Sequence, residues 1–257
     1  MASPLDRLQR VPQLTLLFWV VKLLSTGVGE TTSDYFVKTL DPVPVVLVAA
    51  VLFAICFVIQ FTARRYVPWR YWLFVCMVAV FGTMVADVTH IVIGVPYLLS
   101  TIAFAAVLVV IFIVWRITEG TVSVHSVTTG RRELFYWATV LATFALGTAV
   151  GDLTATTFTL GYLGSGIVFA ILIAMPGIAY RFHLPATIAF WWAYVLTRPL
   201  GASFADWLAV DHSRGGLALG TLPISAAGAA LIIAGVAVMQ TRQRRLQRLT
   251  ASTSEVS

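Results

Sequence analysis

Charged side chains are scarce in this chain. Asp, Glu, Lys and Arg make up only 11% of its 257 residues, whereas 59% are hydrophobic. Because a soluble domain carries about a quarter charged residues, this composition excludes an ordinary soluble protein and predicts a polytopic membrane protein in the lipid bilayer. The formal charge of +6 does not require a nucleic-acid partner, since the basic residues lie between the apolar runs.

Cysteines and catalytic motifs are also lacking. Cys56 and Cys76 fall inside apolar runs, which favours buried thiols over a disulfide. The sequence contains no CxxC, HExxH, P-loop or GxSxG motif, and its histidines are scattered. We therefore expect neither an enzyme nor a cofactor. The polar N-terminus is not followed by a cleavage site, so we also predict that no signal peptide is removed.

The apolar runs are long enough for helices that cross a bilayer, which needs about 20 residues each. They predict a single transmembrane domain over 1–257 with eight spans: 14–36, 43–62, 69–92, 96–115, 134–158, 162–180, 186–208 and 217–239. The last span is rich in Gly and Ala, which leaves a re-entrant segment open as an alternative. The residues 240–257 predict a helix end, a basic anchor and a partly disordered tail.

The arginines alternate with the spans. They precede span one, separate spans two and three, four and five, and six and seven, and follow span eight: Arg7, Arg10, Arg64, Arg65, Arg70, Arg116, Arg131, Arg132, Arg181, Arg242, Arg244, Arg245 and Arg248. The other connections hold only Lys38 and Arg214. The positive-inside rule therefore predicts that both termini are cytoplasmic.

One stretch, Phe18–Asp34, occurs four times without a gap, which predicts an internal repeat over about 14–62, 69–115, 134–180 and 186–239. Each copy has an aromatic residue and Trp, a glycine ten residues after the Trp, a small residue four later, and then Asp. The glycines are Gly29, Gly82, Gly147 and Gly201; the small residues are Ser33, Ala86, Gly151 and Ala205; the acids are Asp34, Asp87, Asp152 and Asp206.

The repeats predict an all-α fold of four parallel two-helix units, because every copy starts on the same side of the membrane. A closed bundle with the odd helices around a pseudo-fourfold axis is the favoured arrangement, and a pair of four-helix halves is the alternative. The glycine and the small residue share one helix face, which predicts close packing, most simply of the odd helices on each other. The Trp side chains are predicted to anchor the inner membrane interface.

The repeated Asp lies about 22 Å along the helix from the Trp, so it should face the protein interior or water. The alternative is that each Asp merely ends its helix, or caps a short helix in the outer loop. Four residues earlier, on the same face, lie Glu30, Thr83 and Thr148, whose oxygens predict a cation or proton site together with the acids. Glu30 and Asp34 cannot easily both carry charge unless a cation lies between them.

Two basic residues interrupt the pattern. Arg198 lies deep in span seven, where a charged side chain needs a partner, and we expect it to pair with Glu30, Asp206 or both. Lys22 is predicted either to extend to the inner interface or to pair with Glu30. His90, three residues after Asp87, is a weak candidate metal ligand, the alternative being an ordinary polar helix end.

Several runs resemble a family of bacterial integral membrane proteins labelled as membrane-anchored: VGETTSDYF, RRYVPWRYW, SVHSVTTGRRELFYW, FALGTAVGDL and YVLTRPLGASFAD. The resemblance covers nearly the whole chain. It implies a multi-pass protein of the bacterial inner membrane and no particular activity.

Two functions fit these observations. Embedded carboxylates favour a transporter or channel for a small cation, either a divalent metal or a proton. The alternative is a membrane scaffold or regulator that transports nothing and in which the Asp residues hold helix ends together. The sequence does not predict the oligomeric state.

Overall fold

The computed structural model describes residues 9–63 and 65–254. Arg7, Arg64 and the last three residues of the predicted tail lie outside the described residues. Eight α-helices occupy the described part of the chain: α1 Leu16–Thr39, α2 Pro42–Phe61, α3 Pro68–Asp87, α4 Tyr97–Glu119, α5 Gly130–Asp152, α6 Gly161–Arg181, α7 Ala186–Ala209 and α8 Thr221–Ser254. They match the eight predicted spans.

Local sequence signals set several of the helix ends. The side chains of Thr15, Asp41 and Thr129 accept hydrogen bonds from main-chain N–H groups in the first turns of α1, α2 and α5, as N-cap residues do. Gly120 ends α4 in the left-handed conformation, with φ 72°, which glycine adopts without strain. α8 is one continuous helix rather than a re-entrant segment. The tail is helical as far as Ser254, because its Arg, Gln and Leu residues favour helix.

Six of these helices are long and apolar enough to cross a membrane, namely α2, α3, α4, α5, α6 and α8. The chain is therefore a multi-pass membrane protein by helix composition. The other two, α1 and α7, are equally long but more polar, since α1 carries four charged residues and α7 carries two. Most of those charges face the interior of the bundle, since Lys22, Glu30, Arg198 and Asp206 are buried.

The four odd helices form a closed ring. α1 packs against α3, α3 against α5, α5 against α7, and α7 against α1. The contacts join equivalent heights of the repeat, so the four odd helices run in the same direction. This is the closed arrangement that the sequence favours over two four-helix halves.

The even helices pack one position further round the ring than the repeat pattern indicates. α2 contacts α3 far more than its own repeat partner α1. In the same way α4 packs on α5, α6 on α7, and α8 returns to α1. Each repeat therefore buries its second helix against the first helix of the next repeat, and the four repeats interlock.

The aromatic pairs build a buried core at one end of the ring, which we name the aromatic end. Trp72, Trp137 and Trp191 are 1%, 3% and 6% exposed, so the predicted role as lipid-interface anchors is wrong for them. Their indole N–H groups donate inside the protein, to the Met239 sulfur, to Glu133 and to the Val122 carbonyl. A Trp placed at a helix start suits an interface or a core equally, and internal hydrogen-bond partners allow burial here.

Candidate functional site: the axis of the odd-helix ring

The axis is lined by a stripe of side chains spaced four residues apart on each odd helix. From the aromatic end to the acidic end, five layers follow one another: Phe18, Tyr71, Tyr136 and Phe190; Lys22, Val75, Val140 and Tyr194; Thr26, Ala79, Phe144 and Arg198; Glu30, Thr83, Thr148 and Ala202; Asp34, Asp87, Asp152 and Asp206. The first four layers are buried throughout. Equivalent repeat positions thus meet around one axis.

The repeated glycines allow the odd helices to approach each other. A side-chain carbon at Gly29 would collide with Ala79 of α3, and one at Gly82 with Phe144 of α5. The two remaining glycines follow the same rule: Gly147 lies against Arg198 of α7, and Gly201 against Thr26 of α1. Every glycine therefore contacts the third axial layer of the next helix, and the prediction that the odd helices pack closely on each other is confirmed.

The small residues one turn later are less uniform. Ser33 donates a hydrogen bond to Asp87 at 3.1 Å, Ala86 is fully buried, and Ala205 is nearly so. Gly151 differs, because a side-chain carbon there would have no neighbour within 4 Å among the described residues. The full GxxxG form in α5 therefore does not mark the tightest contact, and there is open space beside Gly151.

Arg198 occupies the centre of the axis and is fully buried. Its Nη2 donates to Glu30 Oε2, with which it forms an ion pair, and to the hydroxyls of Thr83 and Thr148, the latter at 2.7 Å. Its Nη1 donates to the main-chain oxygen of Thr26 at 3.1 Å. These acceptors lie on α1, α3 and α5, so one side chain of α7 joins all four odd helices.

The arrangement brings together the central residues that the sequence singled out, but around a cation of the chain itself. Glu30, Thr83 and Thr148 provide the oxygens that were predicted to bind a small cation, and the guanidinium occupies that position. Of the two predicted partners, Glu30 pairs with Arg198, whereas Asp206 forms no ion pair within the described residues. The pair is desolvated, so removing either partner would leave a buried charge.

The fifth layer gathers carboxylates at the acidic end. Asp87 and Asp206 are 9% and 7% exposed, whereas the side chains of Asp152 and Asp34 are 22% and 15% exposed. Asp34 forms an ion pair with Lys38 at 2.5 Å. Asp87 accepts the hydrogen bond from Ser33 of α1, and each of the four repeats contributes one of these acids.

The main chain stays helical beyond each of these acids. α1 and α7 continue for several residues, and π-helical turns over Val88–Val92 and Leu153–Thr157 follow α3 and α5. Asp34 and Asp206 therefore do not end their helices, whereas the α-helical segments α3 and α5 do end at Asp87 and Asp152, where the π turns begin. The π turns occur in repeats two and three, which are also the copies whose sequences match beyond the Asp; such turns are frequent at functional sites.

His90, the weak candidate metal ligand, contacts the next repeat and the start of α4. Its Nδ1 lies 3.9 Å from Asp152 Oδ2 in the next repeat, and its Nε2 lies 2.6 Å from the Ser100 hydroxyl. Within residues 9–63 and 65–254, no three His, Cys, Asp or Glu side chains form a group suited to a metal ion.

Lys22 behaves differently from both predictions. It is fully buried, and its Nζ lies over the rings of Phe144 and Tyr194, 4.1 and 4.5 Å from their centroids. It neither extends to the interface nor reaches Glu30, and among the described residues Nζ has no hydrogen-bond partner. The side chain therefore places an amine directly below the arginine on the axis, where aromatic faces are its neighbours.

The sequence analysis missed Glu133, which seals the aromatic end. This fully buried carboxylate accepts from Arg10 at 2.7 Å and from Gln60 at 2.8 Å, and the Trp137 indole lies 3.4 Å away. Main-chain bonds join residues 9 and 10 to the loops that follow α2 and α4. An acidic residue one turn before the repeated Trp was the available signal, and its position next to a loop concealed it.

The comparisons agree with the repeat found on the axis. A family profile described as "Repeat of Unknown Function (DUF347)" matches residues 17–66, 70–121, 135–183 and 189–245. The chain belongs to this family. The four DUF347 repeats each contain one odd helix and the even helix after it, as the sequence predicted. No curated protein and no solved structure matches the chain, so the DUF347 assignment carries a repeat but no activity.

Proposed function

We propose that this DUF347 protein moves a small cation across a membrane along the axis of its odd-helix ring, as a transporter or a channel. The observation that supports this most strongly is the axial stripe, with carboxylates at one end and the Arg198–Glu30 pair buried in the middle. Ionisable side chains inside a membrane protein are costly, and they usually mark ion or proton pathways.

The proposed orientation places the aromatic end in the cytoplasm. The arginine-rich connections lie at that end, and the positive-inside rule then gives cytoplasmic N- and C-termini in the bacterial inner membrane. The acidic end faces outside, where a group of carboxylates raises the local concentration of cations. The open space beside Gly151 lies in the same region.

The described conformation is closed at the aromatic end. Below Arg198, the axis is filled by Phe144, Tyr194 and the aromatic layer, in which Tyr71 and Tyr136 are hydrogen-bonded. The loops held by Glu133 cover the end of the ring. Passage of an ion therefore requires Arg198 to move and the aromatic end to open, as in alternating access.

A scaffold or regulatory role is the second candidate, and one observation favours it. Arg198 links four helices through hydrogen bonds, as a purely structural clasp would. In that case the acids at the other end stabilise helix contacts, as Ser33 and Asp87 do.

Ion flux into proteoliposomes distinguishes the two functions. The purified protein is reconstituted and tested with H⁺, Na⁺, K⁺, Mg²⁺, Mn²⁺ and Ca²⁺, beside Asp87→Asn and Asp152→Asn. Asp211→Asn is the matched control, because Asp211 lies in an exposed loop. Flux that the first two variants abolish, while the control and the thermal stability are unchanged, supports a carboxylate-lined path. If no ion moves and the variants merely unfold at lower temperature, the scaffold function is the better explanation.

A further inference from the structure

We infer that Glu30, Thr83 and Thr148 form a binding site for a small monovalent cation, and that Arg198 occupies this site as a tethered competitor. The inference rests on the proposed function and deepens it, since it names the ion class and the residue that must leave. The observation that supports it is that three side-chain oxygens surround one nitrogen atom, Nη2 of Arg198.

The hydrogen-bond geometry suits a compact ion better than a guanidinium group. Three oxygens, from Glu30, Thr83 and Thr148, surround Nη2, yet that nitrogen has only two hydrogens to donate. On the same side chain Nε is buried without a hydrogen-bond partner in the described structure. A site evolved to hold arginine would use its planar fork, with donors and acceptors matched. Here the acceptors converge on a point instead.

The repeat explains how the arginine comes to fill the site. Three of the four equivalent positions in this layer carry oxygen, while the fourth is Ala202. Its small side chain leaves room for Arg198, one turn below on α7, to extend into the layer. Gly147 leaves space for the arginine stem, since a side-chain carbon there would collide with it. The fourth repeat therefore supplies a cation where the others supply ligands.

The charge of the site selects the ion class. Glu30 is the charged ligand, so the oxygens carry one negative charge, which a monovalent cation balances. A divalent ion would leave one excess positive charge within this layer, and Phe144 and the buried Lys22 below it offer no further anionic ligand. Carboxylate, hydroxyl and carbonyl oxygens are hard ligands that suit ions such as Na⁺ rather than soft metals.

The Arg198→Ala variant exposes the site for a direct binding test. Guanidinium chloride and NaCl, each at millimolar concentration, are added to the detergent-solubilised variant, with choline chloride and urea as controls for ionic strength and for shape without charge. We expect the midpoint of thermal unfolding to rise saturably with Na⁺, by roughly 5–10 °C at one hundred times the dissociation constant. A rise with guanidinium and none with Na⁺ would contradict the inference, because it would show a site fitted to arginine. The wild-type protein should show no saturable rise, because Arg198 already fills the site.

The double variant Glu30→Gln/Arg198→Ala is the matched control. It keeps the cavity and both hydroxyls but lacks the charge, so neither salt should stabilise it beyond choline chloride. A monodisperse Arg198→Ala protein whose midpoint responds equally to NaCl, guanidinium chloride and choline chloride would overturn the inference.

A folding failure of Arg198→Ala also decides the matter. Recovery of folded variant when sodium, and not choline, is present during purification supports the site. Failure under all salts, while the double variant folds, contradicts it, because the site then gains nothing from a cation. The readout involves no flux, so a negative flux experiment leaves this inference standing, and a negative binding result leaves transport to be tested on its own.

Discussion

The two halves of the odd-helix ring use the same four helices in opposite ways. In the aromatic half, rings and aliphatic side chains fill the axis, and Glu133 is held by neighbouring polar groups. In the acidic half, small residues, hydroxyls and carboxylates line the axis, π turns end two of the helices, and Gly151 faces open space. One half is sealed by packing, and the other is organised by charge.

The difference lies in where the repeat departs from itself. The first and fifth layers keep the same residue class in all four copies, namely aromatic and Asp. The three layers between them do not, and they hold Lys22, Arg198 and Glu30, each in a single copy. The residues shared by all four repeats therefore form the ring, and the residues found in only one repeat provide the charged groups at its centre.

The largest effect should come from breaking the central pair. Arg198→Leu leaves the Glu30 carboxylate buried without its partner, so we expect the free energy of unfolding to fall by about 3–5 kcal/mol. Adding Glu30→Gln removes the stranded charge and should restore most of the loss. Denaturant titrations in detergent measure both variants. A double variant as unstable as the single one would mean that packing, not charge, holds the centre.

A pair of glycine substitutions tests the packing at two levels of the same face of α5. Gly147→Ala forces a side-chain carbon into Arg198 and Pro199, and overpacking of this kind costs about 1–3 kcal/mol. Gly151→Ala meets open space, and the better helix propensity of alanine should give a gain of up to about 1 kcal/mol. Equal effects of the two changes, in the same unfolding assay, would show that Gly151 packs as tightly as Gly147.

A hydroxyl deletion examines the sealed half. Tyr71→Phe removes the buried hydrogen bond to Tyr136 while keeping the ring, and such bonds between membrane helices are worth about 0.6 kcal/mol on average. We expect a loss of that size in the free energy of unfolding. Tyr180→Phe is the control, since Tyr180 is 58% exposed. A loss above about 2 kcal/mol exceeds the range for one bond and would indicate a wider network.

The smallest effect is expected at the rim of the acidic half. Lys38 is half-exposed, and its ion pair with Asp34 should contribute no more than about 0.5 kcal/mol, as exposed pairs one helical turn apart do. Lys38→Gln should therefore leave the thermal midpoint nearly unchanged. A clear drop in that midpoint would show that Asp34 belongs with the three interior acids.

Much of the fold could be predicted because the repeat is visible in the chain itself. Periodic apolar runs gave the eight helices, and a glycine at a fixed distance from the Trp gave the closely packed face, which Gly29 and Ala79 illustrate. The Arg198–Glu30 pair was predictable from the free-energy cost of burying a charge in a membrane. A buried arginine needs an acidic partner, and few acids are present in the spans.

The rest depended on tertiary context. Apolar helices such as α2 and α4 look alike on every face, so their displacement to the next odd helix left no local signal. Trp72 is buried because loops and α8 cover the aromatic end, which no pattern around the residue reveals. The position of Lys22 follows from its aromatic neighbours on α5 and α7, which are far away in the sequence.

The displaced even helices give the chain a particular order of assembly. Each helical pair can enter the membrane as it leaves the ribosome. Its second helix, however, lacks its main packing partner until the first helix of the next pair has been made. The last seam joins α8 to α1, the two helices that synthesis separates most widely. Until the final pair arrives, α1 holds Glu30 without its cation and an uncovered flank. A nascent chain of this family must therefore protect its first helix for nearly the whole of translation.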